Sequence, residues 1–340
     1  MLRKRRLGRT GLNLSLLGFG GIPIMRIPPE DAKGVIREAI SLGIDFIDTA
    51  RGYGDSEKKI GSALAGCRDE VILASKSPKR DRRGILEDVA TSLSDLRTEM
   101  IDLYQLHCVN TSEDYARAMS DGGAYGALQE VKSEGRIRFT GITSHHLDIL
   151  KRAIESDKFD TIQVLYSFIE DEAGREIIPM ALERDIGVIA MKPLAGGSIQ
   201  RYDIGLLYVL STPGLIAIPG VASIEEVKRN VEIASDLREL SSTDLEVMRR
   251  IKGEVGKHFC RRCDYCQPCP NKIPISLLLH VESIRQRIGE EMMRSDFYGG
   301  VLEKAGRCDE CGECEKRCPF GLHIIDLIKR ARMILADVIG

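Results

Sequence analysis

Four ionisable side chains fall at the ends of strand-like apolar runs in the first third of the chain. Ile44-Asp45-Phe46-Ile47 leads into Asp48, and the loop Thr49-Ala50-Arg51-Gly52 returns Tyr53. Val71-Ile72-Leu73-Ala74-Ser75 leads into Lys76, and Ile101-Asp102-Leu103-Tyr104-Gln105-Leu106 leads into His107. Parallel α/β folds keep their chemistry at the C-terminal ends of strands, so these four groups would share one mouth. An isolated tyrosine ionises at about 10, too high for proton transfer in both directions near neutrality. A nearby ammonium favours tyrosinate. Tyr53 is therefore the candidate acid/base, Lys76 its tuner, and Asp48 the group that fixes and charge-balances Lys76. Singly, each residue has a plainer account: a turn carboxylate, a rim phenol, a solvated lysine, and for His107 a satisfied buried histidine. Their order at three successive strand ends is what argues for chemistry.

A second constellation lies at the far end of the chain. Of ten cysteines, Cys67 and Cys108 stand apart and read as core thiols, and the rest lie beyond residue 259. They run Cys260-x2-Cys263-x2-Cys266-x2-Cys269-Pro270, and then Cys308-x2-Cys311-x2-Cys314-x3-Cys318-Pro319. The second run has the spacing of bacterial ferredoxins, in which the fourth cysteine ligates the other cluster. Two [4Fe-4S] clusters are expected, one on Cys260, Cys263, Cys266 and Cys318, the other on Cys308, Cys311, Cys314 and Cys269. The first run departs from the pattern, with a shorter gap before its last cysteine. Paired Cys-x2-Cys also builds zinc sites, and clustered cysteines form disulfides in secreted chains. The third thiolate of each run and the trailing proline favour clusters.

The elements that must hold these residues follow from hydrophobic pattern. Strand candidates centre on Leu17, Phe46, Leu73, Leu103, Ile142, Val164, Ile189 and Ile216. Helical patterns alternate with them over 29–42, 57–65, 83–96, 125–134, 147–156, 174–184, 204–211 and 225–236. Strand–helix units at roughly thirty-residue spacing predict a closed (β/α)8 TIM barrel rather than an open sheet. Leu7 to Leu14, broken by Gly8, Gly11 and Asn13, reads as an N-terminal hairpin. A further helix opens at Ser241-Ser242-Thr243-Asp244 and runs to about Val255. Composition then shifts, placing a boundary near Gly256. The barrel domain would span 1–255, and a small, mainly helical, cysteine-rich ferredoxin-like domain 256–340, with helices over 275–287 and 324–338. At 340 residues the chain exceeds a barrel alone, which typically takes about 250.

Net charge is −2 with both signs interspersed, which argues against nucleic-acid and membrane-surface partners. No apolar run has the length of a spanning helix, and the basic start of the chain lacks the apolar stretch of a secretory signal. A cytoplasmic location is expected.

The pattern Asp48-Thr49-Ala50-x-x-Tyr53-Gly54-x-Ser56-Glu57, followed by Lys76 and His107, resembles the aldo-keto reductase family. The resemblance covers about residues 3–255 and extends to Gly141-Ile142-Thr143-Ser144, Gln163, Lys192-Pro193-Leu194, Ile218-Pro219-Gly220 and Asn230. It implies NAD(P)H-dependent reduction of an aldehyde or ketone to an alcohol, with Tyr53 giving the proton and His107 orienting the carbonyl and donating to its oxyanion. By the same resemblance Thr143, Ser144 and Gln163 hold the carboxamide, and Met191 stands where many members place a tyrosine under the nicotinamide. Lys192, Pro193, Leu194 and Asn230 would contact pyrophosphate and adenine. Gly220 and Glu226 replace a lysine and an arginine that many members use for the 2′-phosphate; Lys228 and Arg229 lie close by. NADP(H) is expected, with NAD(H) as the alternative. The tail resembles that of family members whose barrel is followed by a ferredoxin-like module, implying either a redox partner protein or a purely structural role for the clusters. The rival functions are an electron-transfer protein with the barrel as its nucleotide-binding base, and a nucleotide-sensing module. Within the family, the carbonyl substrate is chosen by loops after the fourth and seventh strands and by the tail. The first of these, 109–123, reads as a polar loop, and His145 and His146 follow the fifth strand.

Overall fold

The computed structural model describes residues 2–339, so Met1 and Gly340, the outer limits of the two expected domains, lie outside it. By contacts the chain forms two compact units. One comprises residues 2–194 with Arg201–Leu240, the other Ala195–Gln200 with residues 241–339. The helix Ser242–Val255, which opens on a reciprocal capping box between Ser241 and Asp244, falls in the second unit.

The first unit is the expected barrel. A hairpin of β1 (Lys4–Arg6) and β2 (Asn13–Ser15) precedes eight parallel strands: β3 (Phe19–Gly20), β4 (Phe46–Asp48), β5 (Ile72–Ser77), β6 (Ile101–Leu106), β7 (Ile137–Ser144), β8 (Thr161–Leu165), β9 (Gly187–Met191) and β10 (Leu215–Ile218). Each pairs with its sequence neighbour, and the parallel bridges Leu17–Ala217 and Gly20–Gly220 close the ring. Helices cover the outside. The polar stretch after β6 is not all loop: Thr111 accepts from the Asp114 amide and starts a helix over Ser112–Met119. The stretch is polar overall, but the threonine cap and the buried face of Tyr115 and Ala118 make it a short amphipathic helix.

Strand alternation sorts the side chains into two cores. Ile47, Leu73, Tyr104, Val164, Val188 and Ala217 face the helices. Phe46, Ala74, Leu103, Ile189 and Ile216 fill the barrel together with Leu7, Leu12 and Leu14 of the hairpin. The hairpin's approach requires glycine on both sides. A Cβ on Gly8 (φ 47°) would lie 2.2 Å from the Gly187 nitrogen, and one on Gly187 2.7 Å from the Leu7 side chain.

The second unit is helical and cysteine-rich. The pattern over 275–287 resolves into Ile275–Leu278 and Val281–Ile288, and Asp296–Ala305 is a helix that the sequence reading leaves unassigned. The C-terminal helix Ile324–Ile339 buries Ile324, Ile328, Ala331, Leu335 and Val338, spaced at helical period, into a core with Ile275, Leu278, Val281 and Met293.

Candidate active site and cysteine quartets

The parity that turns Phe46, Ala74 and Leu103 inward also turns Asp48, Lys76 and Gln105 inward, one layer nearer the C-terminal mouth. Lys76 is fully buried, and its Nζ donates to Asp48 Oδ2 at 2.7 Å and to the Thr49 carbonyl at 2.6 Å. The same ammonium lies 4.9 Å from the centroid of the Tyr53 ring. Tyr53 meets His107 edge to face, with ring centroids 5.5 Å apart at 83°. The four residues singled out by spacing are thus in mutual reach.

Burial works against charge on Lys76, yet the adjoining Asp48 carboxylate, helped by Tyr53, holds its pKa above the ordinary lysine value. Burial pushes the Asp48 carboxyl up, while Lys76 pulls it back. His107 is held well below the usual histidine range, first by burial and then by the charges of Lys76, Arg80 and Lys192. It is a neutral imidazole near pH 7.

Three groups at this site escape a reading by spacing alone. Gln105 Nε2 lies 3.1 Å from Gln163 Oε1 and 3.4 Å from Asp48 Oδ1, linking the ion pair to the opposite wall. Gly141 makes its space: a Cβ there would meet Gln105 Cγ at 3.0 Å. A polar residue at inward parity inside an apolar strand was the signal. Arg80 is buried and donates at 2.9 Å to the carbonyls of both His107 and Cys108 (φ 53°), fixing the turn after β6. Arg51, on the Tyr53 loop, pairs with buried Glu57 and, at 3.0 Å, with Asp95, while Glu57 accepts from Ser75 at 2.5 Å.

The residues expected around a nicotinamide dinucleotide divide into two sets. Thr143 Oγ1 accepts from the Cys108 amide at 2.8 Å, and Ser144 bonds Asn110 at 3.2 Å, so both hydroxyls brace the loop beside His107. Met191 ends β9 against the barrel interior; Lys192 (φ 54°) places Nζ 3.3 Å from His145 Nε2. Pro193 is buried, and Leu194 packs on the outer core. The second set follows β10. A Cβ on Gly220 would come within 2.7 Å of Pro23, so a lysine there would force the neighbouring turn to move. Glu226 is committed to the Ala222 amide at 2.7 Å, just ahead of the helix Ile224–Ser235. Lys228 pairs with Glu38 at 3.3 Å, and Arg229 stacks 4.0 Å over the Tyr202 ring. Asn230 is buried with no protein partner for Oδ1. An orphaned buried carbonyl of this kind fits a position that meets a ligand.

In the second unit the cysteines ring two cavities. Cys260, Cys263, Cys266 and Cys318 line one, with Ile275, Leu279, Leu322 and Ile324 as apolar walls. Cys269, Cys308, Cys311 and Cys314 line the other, with Ile273, Ile275, Ile325 and Ile328. Each quartet takes three thiols from one run and the last from the other. The cysteines are unpaired as disulfides. Among the described residues no group of three or more His, Cys, Asp or Glu is drawn close enough to hold a single metal ion. Burial pushes the Cys260 thiol up to about 11 and Cys266 up to about 12, and neighbouring thiolates of the same quartet add to the rise at Cys266. Four soft donors around an apolar hollow, costly to ionise alone, fit a metal cluster that compensates their charge.

Comparison with known proteins agrees with both halves. The sequence model of the Aldo/keto reductase family matches residues 16–205. That of the 4Fe-4S dicluster domain matches residues 259–323. The chain is 32% identical over 220 residues to L-galactose dehydrogenase of Arabidopsis thaliana, covering 58% of this chain and 67% of that one. The structure of aldo-keto reductase AKR11C1 from Bacillus halodurans, in its holo form, superposes with a TM-score of 0.65 at 27% identity, covering 74% of this chain and 96% of the other. An aldo-keto reductase from Klebsiella pneumoniae in complex with NADPH gives a TM-score of 0.62 at 25% identity, over 74% and 95%.

Proposed function

Because the chain belongs to the aldo/keto reductase family and is an NAD(P)H-dependent oxidoreductase, we propose that it reduces a small-molecule aldehyde or ketone to an alcohol with Tyr53 as the proton donor. The observation that carries this reading is the buried Lys76–Asp48 pair, whose Lys76 Nζ lies 4.9 Å from the centroid of the Tyr53 ring. A permanent ammonium there favours the phenolate and so eases proton release. When bound, the nicotinamide supplies the hydride. Asp48 keeps Lys76 charged and fixed, and Gln105 ties that pair to Gln163. His107, as a neutral imidazole, donates an N–H to the carbonyl oxygen and steadies the developing oxyanion. Residues 1–255 are the reductase part in this reading, and 256–340 the iron–sulfur part.

On the cofactor side, Thr143, Ser144, Gln163, Met191, Lys192, Pro193 and Leu194 would take the nicotinamide half and pyrophosphate, and Gly220, Glu226 and Asn230 the adenosine half. The buried, unpartnered Asn230 Oδ1 supports this assignment. The reading favours NADP(H), in keeping with the NADPH bound by the Klebsiella relative. Cys260, Cys263, Cys266 and Cys318 would hold one [4Fe-4S] cluster and Cys269, Cys308, Cys311 and Cys314 a second, supplying one-electron steps and a route to a redox partner protein. The dicluster-domain match supports the pair.

Tyr53→Phe tests the chemistry. It should cut carbonyl turnover by about 10²–10⁴-fold while leaving NADPH binding, followed by fluorescence, unchanged. Undiminished turnover would refute the assignment. Anaerobic purification should give about eight irons and eight sulfides per chain, and absorbance that bleaches on adding NADPH would support coupling to one-electron transfer.

A further inference from the structure

The two cysteine quartets sit in opposite electrostatic surroundings. The run from Cys260 to Cys269 carries Arg261 and Arg262 against one carboxylate, Asp264. The run from Cys308 to Cys318 carries Asp309, Glu310, Glu313 and Glu315 against Lys316 and Arg317. The difference persists at the cavity walls. Arg261 and Asp264 line the first cavity, and Asp309, Glu310 and Arg317 line the second.

Arg262 adds a second cation, whose charge acts on the Cys260 thiol of the first quartet. It is buried, its amide donates to Cys260 Sγ at 3.4 Å, and its guanidinium nitrogen lies 3.0 Å from His280 Nδ1. His280 is buried too, and its Nε2 bonds the Cys260 carbonyl at 2.7 Å. The imidazole therefore clamps Arg262 to the backbone of a cysteine in the quartet, and the Phe259 ring packs on both (5.4 Å from His280, 5.6 Å from Arg262). By contrast, Glu310 and Glu313 of the second run make exposed pairs with Lys329 and Lys316 at 2.8 and 2.7 Å, and Cys311 is exposed.

Reduction adds one negative charge to a cubane. A buried cation stabilises the reduced form, and nearby carboxylates oppose it. Exposure of Cys311 works the other way, because water also stabilises added charge. Arg262 is buried and tied through His280 to the Cys260 backbone, and a charge in such low dielectric counts for more than water touching one thiolate. The geometry points to two electronically unequal clusters: the one on Cys260, Cys263, Cys266 and Cys318 has the higher potential and takes the first electron, with Arg262, clamped by His280, as the residue that sets the gap. This inference rests on the cluster assignment proposed above.

An electron paramagnetic resonance titration of the full-length protein against dithionite tests it, with one electron entering each cluster. The wild type should show two separate one-electron waves. Arg262→Gln should move the upper wave to lower potential and leave the lower wave in place. Should that variant lose its iron, Asp264→Asn gives the opposite reading: the upper wave should rise alone. Coincident waves in an iron-replete wild type, or an upper wave indifferent to whichever of these variants keeps its clusters, would overturn the inference while the cluster assignment stood. A protein that takes zinc and no iron would overturn both.

Discussion

The barrel site and the cysteine quartets solve the same problem, ionisable groups out of water, in opposite ways. In the barrel the protein supplies its own partners. Lys76 has Asp48 and a backbone carbonyl, Arg80 has two carbonyls, and Arg51 has Glu57 and Asp95. In the second unit, burial raises the thiols at Cys260, Cys263, Cys266 and Cys314, and the few charged side chains at the walls of the two hollows do not offset four thiolates. A site that balances itself is built by folding. A site that must be balanced from outside is built by its ligand.

The largest expected effect follows from that contrast. Iron removal by an oxidant with chelator should unfold the second unit and leave the barrel intact, since metal-binding energy on the order of 10 kcal/mol becomes folding energy in such small domains. Hydrogen exchange is the measurement. Amides of Asp296–Ala305 and Ile324–Ile339 should lose protection, while those of β5 and β6 keep theirs. Retained protection in both helices would mean that the aliphatic core suffices alone.

The next effect probes the self-balanced site. Lys76→Met strands a buried carboxylate and should cost about 3–5 kcal/mol in barrel stability by denaturant unfolding. Adding Asp48→Leu should restore most of that stability, because a buried pair is often no more stable than apolar replacements of similar volume. Activity should not return with it. Recovery of both would show the pair to be a folding device with no part in proton transfer.

The contrast also explains which features were legible in the chain. Strand ends and cysteine spacing are local, so Asp48, Tyr53, Lys76, His107 and the cysteine runs stood out, and eight alternating units announced the barrel. What escaped depended on neighbours remote in sequence. Gln105 matters because Gly141 leaves it room to reach Gln163, a contact between residues 58 positions apart. Arg80 is an unremarkable arginine until the turn at His107 and Cys108 brings two carbonyls to it. The helix Asp296–Ala305 carries two adjacent glycines, Gly299 and Gly300, which weaken helix propensity, and packing against the C-terminal helix offsets that. Gly220 was readable only as a missing lysine; its reason is the space taken by Pro23.

His107 yields the smallest effect and the sharpest sign. Burial and three cations hold its folded pKa well below the ordinary value, whereas in the unfolded chain it titrates near 6.5. The unfolded state therefore takes the proton first as pH falls. The folded state keeps its full stability above about 6.5 and loses it progressively below, down to the folded pKa. His107→Gln should flatten that part of the stability–pH curve, and the His107 ring resonance should not titrate between about pH 6 and 8. An imidazole that stays neutral can donate only its single N–H, so any limb in the turnover profile across that range must come from another group. A His107 resonance moving with a pKa near 6.5 would mean that Lys76, Arg80 and Lys192 are screened at the mouth, and the self-balanced character of the barrel site would then stop at Lys76 and Asp48.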